Sequence, residues 1–161
     1  MINLSLIATS SNLVQDMARS EVLSCNELTA SYGLTLTEQQ ATALVTTRGE
    51  VLKKTGRIEW NGGILQKIII AFCDSPYLTE QNYEDTLHEL IELFYEFKND
   101  TLDGVTDDKL IEFMKISFNG KCCGSLELLA SRELTDLAKH IHGGHSFESF
   151  KWSGEDSYDK A

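Results

Sequence analysis

Proline is almost missing from this chain: Pro76 is the only one in 161 residues. Proline deletes an amide donor and collides with the turn before it, so its scarcity leaves long helices unobstructed. Cations are also short, with 14 lysines and arginines against 25 aspartates and glutamates, a formal charge of -11. DNA, RNA and anionic lipid surfaces are polyanions, so no nucleic acid and no membrane are expected among the partners. A basic protein partner or a cation suits the surface better, although acidic faces also serve solubility alone. Long apolar runs are lacking too. The longest block, Ile68 to Cys73, is far below the roughly 20 residues that span a bilayer. The stretch Met1 to Ala8 has no basic region of an export signal. Four cysteines without such a signal read as reduced thiols, and the expected location is cytoplasmic.

What is present is helical patterning. A chain of this length forms one domain that buries about 70% of its unfolded surface without a disulfide or metal. Residues 1–10 read as a short strand or an extended arm. A first helical segment spans Asn12 to Arg19, and Ser20 reads as the cap of a second that ends at Gly33. Thr37-Glu38-Gln39-Gln40 is a capping box, followed by Ala41, Leu44, Val45, Val51 and Leu52 on one helical face. Gly56 closes that helix after Lys53 and Lys54, cations that complement its dipole. Residues 57–60 read as a connector and 61–63 as a turn. The helix from Gly63 to Asp74 is apolar nearly all round, which predicts burial at the centre of the fold. Ser75-Pro76 stops it. Thr79 then caps the longest helix, Glu80 to Lys98, with Tyr83, Leu87, Leu90, Ile91, Phe94 and Phe97 as its stripe. Thr106 caps the next, with Leu110, Ile111, Met114 and Phe118 buried. Ser125 starts the last helix and Gly143-Gly144 ends it. The fold expected is an all-α single-domain bundle of about six to seven helices, residues 1–144, around the buried Gly63–Asp74 helix. Residues 145–161, with Phe147, Phe150, Trp152 and Tyr158 among serines and acids, are expected to form a flexible aromatic and acidic tail.

Chemical signatures fall short one by one. A calcium loop with Gly104 at its sixth position offers Asn99, Thr101 and Asp103. Its twelfth residue is then Leu110, where a bidentate glutamate is required. His88-Glu89-Leu90-Ile91-Glu92 starts as a zinc-protease helix does, but Glu92 replaces the second histidine. Asp85 and His88 have the spacing of a di-iron bundle without the second copy such a centre needs. Glu84, His88 and Glu92 share a face at i, i+4 spacing, and Cys122 and Cys123 with His140, His142 and His145 supply zinc-type donors. These are weak metal candidates, because neither group has the spacing of a known site. The bland readings are a solvated acidic stripe and a histidine-rich helix end. Cys25 is a nucleophile only if a base lies beside it, and Cys73 reads as packing. No nucleophile elbow, phosphate loop or dinucleotide fingerprint occurs, so no catalytic residue and no cofactor is expected. Phe147, Phe150 and Trp152 are the partner-binding candidates, since aromatics on a mobile segment insert into grooves.

Five stretches carry a family resemblance: Ser20-Glu21-Val22-Leu23, Gly33-Leu34-Thr35-Leu36-Thr37, Thr55-Gly56-Arg57-Ile58-Glu59, Phe72-Cys73-Asp74-Ser75-Pro76-Tyr77 and Gly124-Ser125-Leu126-Glu127-Leu128-Leu129. Together they resemble uncharacterised small proteins of clostridia-like Firmicutes, over Ser20 to His142. The resemblance implies a bacterial cytosolic origin and brings no activity, cofactor or catalytic residue. The resulting expectation is a non-enzymatic interaction or regulatory protein; the alternative is a helical protein that binds a metal or small molecule. The sequence leaves the oligomeric state open.

Overall fold

The computed structural model describes the backbone of residues 4–59 and 63–150, and side chains from Leu13 onward. Trp60, Asn61, Gly62, Trp152 and Tyr158 lie outside the described residues. All regular structure described is helical: α1 Leu4–Ser24, α2 Asn26–Thr29, α3 Glu38–Thr55, α4 Gly63–Phe72, α5 Tyr83–Asp100, α6 Asp107–Asn119, α7 Leu126–Leu128 and α8 Thr135–His142. A π-helical stretch, Leu129–Leu134, joins α7 to α8, and short 3-10 turns follow α2 (Ala30–Tyr32) and α8 (Phe147–Ser149). The fold is the expected all-α single-domain bundle.

The N-terminal segment differs from the reading above. Residues 4–24 are one helix that runs through Ser20, and neither a strand nor an extended arm forms over residues 4–10. Ala18, Val22 and Cys25 keep a helical spacing across Ser20 and are all buried, so packing carries the helix past a residue that favours caps. Gly33 ends the segment with φ of 78°, the left-handed conformation that glycine adopts without strain.

At α3 the capping box forms in full. Thr37 Oγ1 accepts from Gln40 N at 3.1 Å, and Gln40 Oε1 accepts from Thr37 N at 2.9 Å. Thr106 and Ser125 cap α6 and α7 through the hydroxyl alone, which accepts from Lys109 N and Leu128 N. Thr79 and Asn82 cap each other across a turn, so α5 begins three residues beyond the expected position, at Tyr83.

The centre belongs to α5, with α3 as its main neighbour, rather than to α4. Tyr83, Leu87, Leu90, Ile91, Phe94, Tyr95 and Phe97 of α5 are all buried, and α5 packs against α3, α4, α6, α7 and α8. Burying each aliphatic or phenyl side chain contributes about 1.5–3 kcal/mol. α4 rests on α1, α5 and α6 and buries Ile64, Leu65, Ile68, Ile69 and Phe72. Its remaining side faces solvent, where Ile70 is half exposed. An apolar run short enough to be covered from three sides need not be enclosed.

The π stretch has a packing cause. Leu129 and Leu134 are five residues apart and both fully buried, as is Leu137. The wider π turn brings i and i+5 onto one face, and Thr135 Oγ1 donates back to Ala130 O at 2.7 Å.

Beyond α8, residues 145–150 lie on the body. Phe147 and Phe150 approach Phe113 edge-on, with centroids 6.3 and 5.8 Å away. His140 Nε2 donates to Ser146 O at 2.8 Å and lies 2.9 Å from Ser149 Oγ. Lys109 pairs with Glu148 and holds that exposed carboxyl below its usual range.

Candidate functional site

The weak metal candidates do not converge. His88 is engaged at both ring nitrogens: Nδ1 lies 2.7 Å from Thr47 Oγ1 and Nε2 lies 3.1 Å from Glu84 Oε2. Glu92, one turn further along α5, points to an exposed groove instead. Cys122 is buried, and burial pushes its thiol up, helped by the neighbouring Glu133. His140 serves residues 146–149, its ring stacked on His145 with centroids 4.9 Å apart. His142 Nε2 donates to Asp100 O at 2.6 Å. Among the described residues, no three histidine, cysteine, aspartate or glutamate side chains cluster as a metal site would require.

Cys25 and Cys73 are both buried, and burial pushes both thiols up, away from the thiolate a nucleophile needs. At the calcium-loop candidate, the side-chain oxygen and amide of Asn99 are engaged by Arg57 and Thr55. Leu102 and Asp103 adopt φ of 55° and 57°, and Asp103 pairs with Arg57 at 2.8 Å. Of the partner-binding candidates, Phe147 and Phe150 rest on Phe113, and Trp152 lies outside the described residues.

The strongest polar group inside the body is structural. Glu59 Oε1 accepts from Arg48 Nη2 at 2.9 Å, from Arg48 Nε at 3.3 Å and from the Tyr95 hydroxyl at 2.7 Å. One residue pair before it, Arg57 reaches Asn99, whose amide donates to Thr55 O at 3.0 Å. Together these clip residues 57–59 across α3 and α5.

What the structure assembles, and the sequence does not show, is an acidic groove above that clip. It has a volume of about 570 Å³ and runs between α3 and α5. Glu50, Val51, Lys54 and Thr55 form one wall, and Glu92, Glu96, Asn99 and Asp100 the other. A second hollow, about 390 Å³, lies on the far side of the same ridge, where Glu89, Glu92 and Glu96 face Leu126, Glu127 and Ala130. Glu92 and Glu96 thus stand between two grooves. Among the described residues neither they nor Glu50 nor Asp100 forms an ion pair, whereas Glu59, Asp103, Asp107, Asp108 and Glu133 all do. Carboxylates at i, i+4 repel one another by a few tenths of a kcal/mol. The sequence placed Glu92 on a helix face with Glu84 and His88, but did not show that Glu50 of α3 stands across a groove from Glu92 and Glu96. A third hollow, about 600 Å³ between α4 and α6, has Ile70, Ala71 and Ile111 among its lining. Its Lys67 is tied to Asp108 at 2.8 Å.

Fold and surface together define an acidic helical-bundle protein with a carboxylate-lined groove between α3 and α5. The sequence profile of the family of unknown function DUF6323 matches residues 21–147, and the chain belongs to that family. No curated protein and no solved structure matches it. Among the described residues no helix is long and apolar enough to cross a membrane.

Proposed function

We propose that this is a non-enzymatic interaction protein of the bacterial cytosol, which receives a lysine- or arginine-rich helical segment of a partner protein in the groove between α3 and α5. The resemblance of Ser20 to His142 to proteins of clostridia-like Firmicutes supports the setting. One observation carries the binding mode: Glu50, Glu92, Glu96 and Asp100 line the groove without ion pairs, and Lys54 is the one cation among its lining residues. The groove is open, and Val51 and the stem of Lys54 add apolar contact. A cationic helix supplies the missing charge at a spacing of one turn, which α5 matches with Glu92, Glu96 and Asp100. Association then follows electrostatic complementarity, fast at low salt and screened at high salt.

Titrating a fluorescent lysine-rich helical peptide tests this. Binding is expected at an ionic strength of about 0.01 M, where charges are felt over about 30 Å, and its loss at about 1 M, where the range is about 3 Å. The double variant Glu92→Lys/Glu96→Lys is expected to weaken binding at least tenfold, about 1.4 kcal/mol. Equal binding by that variant, or indifference to salt, defeats the reading.

A further inference from the structure

Three described residues other than glycine turn left-handed: Leu102, Asp103 and Cys123, with φ of 55°, 57° and 49°. Leu102 and Asp103 are the central pair of one turn, closed by Gly104 N donating to Thr101 O at 2.8 Å. Turns with two left-handed central residues favour asparagine, aspartate and glycine, whose side chains are short and polar or missing. Asp103 fits, and it pairs with Arg57 at 2.8 Å. Leu102 does not. A bulky side chain strains this conformation. Burial returns nothing to offset the strain, since Leu102 is 69% exposed. A strained residue left to solvent is the kind of outlier from which a functional role is argued.

The frame around the turn fixes where this leucine stands. Arg57 reaches both Asp103 and Asn99. His142 of α8 donates to Asp100 O at 2.6 Å. The buried Thr101 hydroxyl donates to Phe97 O at 2.8 Å. A Cβ on Gly104 would stand 2.9 Å from Thr101 O and 3.2 Å from the Ile141 side chain, so the turn sits tight against α8. None of these contacts uses the Leu102 side chain. Leu102 N donates to Asn99 O at 2.9 Å, and Asn99 and Asp100 end the α5 wall of the acidic groove. Glu92, Glu96 and Asp100 follow one another along that wall at intervals of about one turn. Leu102 comes directly after them, so a segment laid along α5 meets three carboxylates and then an exposed apolar side chain.

Resting on the reading that the groove takes a cationic helix, we propose that Leu102 sets its specificity by packing against an apolar residue at the end of the partner's cationic row. Charge alone accepts any basic helix, whereas Leu102 selects the amphipathic ones. Two fluorescent helical peptides test this against the full chain. Both carry lysines at one-turn spacing. One has leucine a turn beyond the row at each end, and the other has glutamine, a comparable helix former, at both places. The parent is expected to bind the leucine peptide about tenfold more tightly, the scale of one apolar contact. Leu102→Asn, which suits the turn, is expected to erase that preference and to hold the glutamine peptide within about twofold of the parent. It is also expected to raise the melting temperature of the free protein. Equal binding of both peptides by the parent, or a preference that survives Leu102→Asn, overturns the role of Leu102 and leaves the groove as a cationic site. An unchanged or lower melting temperature in Leu102→Asn removes the strain that singles the residue out, and overturns the proposal as well. Binding of neither peptide defeats the groove reading together with this inference.

Discussion

Tyr83 and Tyr95 are both buried on α5, yet their hydroxyls meet different surroundings. The Tyr95 hydroxyl donates to Glu59 at 2.7 Å. The Tyr83 hydroxyl makes no hydrogen bond among the described residues. The Thr29 hydroxyl beside it donates its own proton to Leu34 O at 2.7 Å. Tyr95→Phe is therefore expected to cost about 1.5–3 kcal/mol, the range for a hydrogen bond to a charged group, and Tyr83→Phe about 1 kcal/mol or less. Urea unfolding of the two variants checks the contrast. The same residues shape alkaline stability. Burial pushes the Tyr83 hydroxyl up to about 12, and burial followed by the Glu59 carboxylate pushes Tyr95 up further. An unfolded tyrosine ionises near 10. Above that pH the unfolded chain releases protons that the folded chain retains, so stability falls as pH rises from about 10 to 12. Urea midpoints at pH 8 and about pH 11 are expected to lie closer together in Tyr83→Phe than in the parent.

At the scale of elements, local chemistry was readable where a hydroxyl accepts from the third amide of the helix it starts. Thr37 with Gln40, Thr106 and Ser125 all act as the caps their sequence suggests. Thr37→Ala removes the side-chain acceptor from the box and is expected to cost about 1 kcal/mol, read from the thermal or urea midpoint. Ser20 and Thr79 show where the same reasoning stops. Both have the side chain of a cap, but Ser20 lies inside α1 because the buried spacing Ala18, Val22, Cys25 continues through it. Thr79 closes a turn with Asn82 before α5 begins. The π stretch had no local signal either, since it answers to the need to bury Leu129, Leu134 and Leu137 together.

At the scale of the whole molecule the excess of negative charge is the leading property. It leaves the folded state strained by self-repulsion, so added salt is expected to raise the melting temperature while weakening any cationic ligand held between α3 and α5. Opposite responses of stability and binding in one salt series separate the two effects, and a melting temperature that falls with screening salt argues against the first. The sequence by itself determined the helical class, the caps and the acidity, because periodicity, capping and charge are properties of neighbouring residues and of totals. Only the tertiary structure decided that α5 takes the centre and that Glu50 faces Glu96 across a groove. It also decided that His88 is occupied by Thr47 and Glu84, and that Leu102 is left exposed. Each of these depends on which helix lies beside which, and that is set by the joint packing of buried faces far apart in the chain.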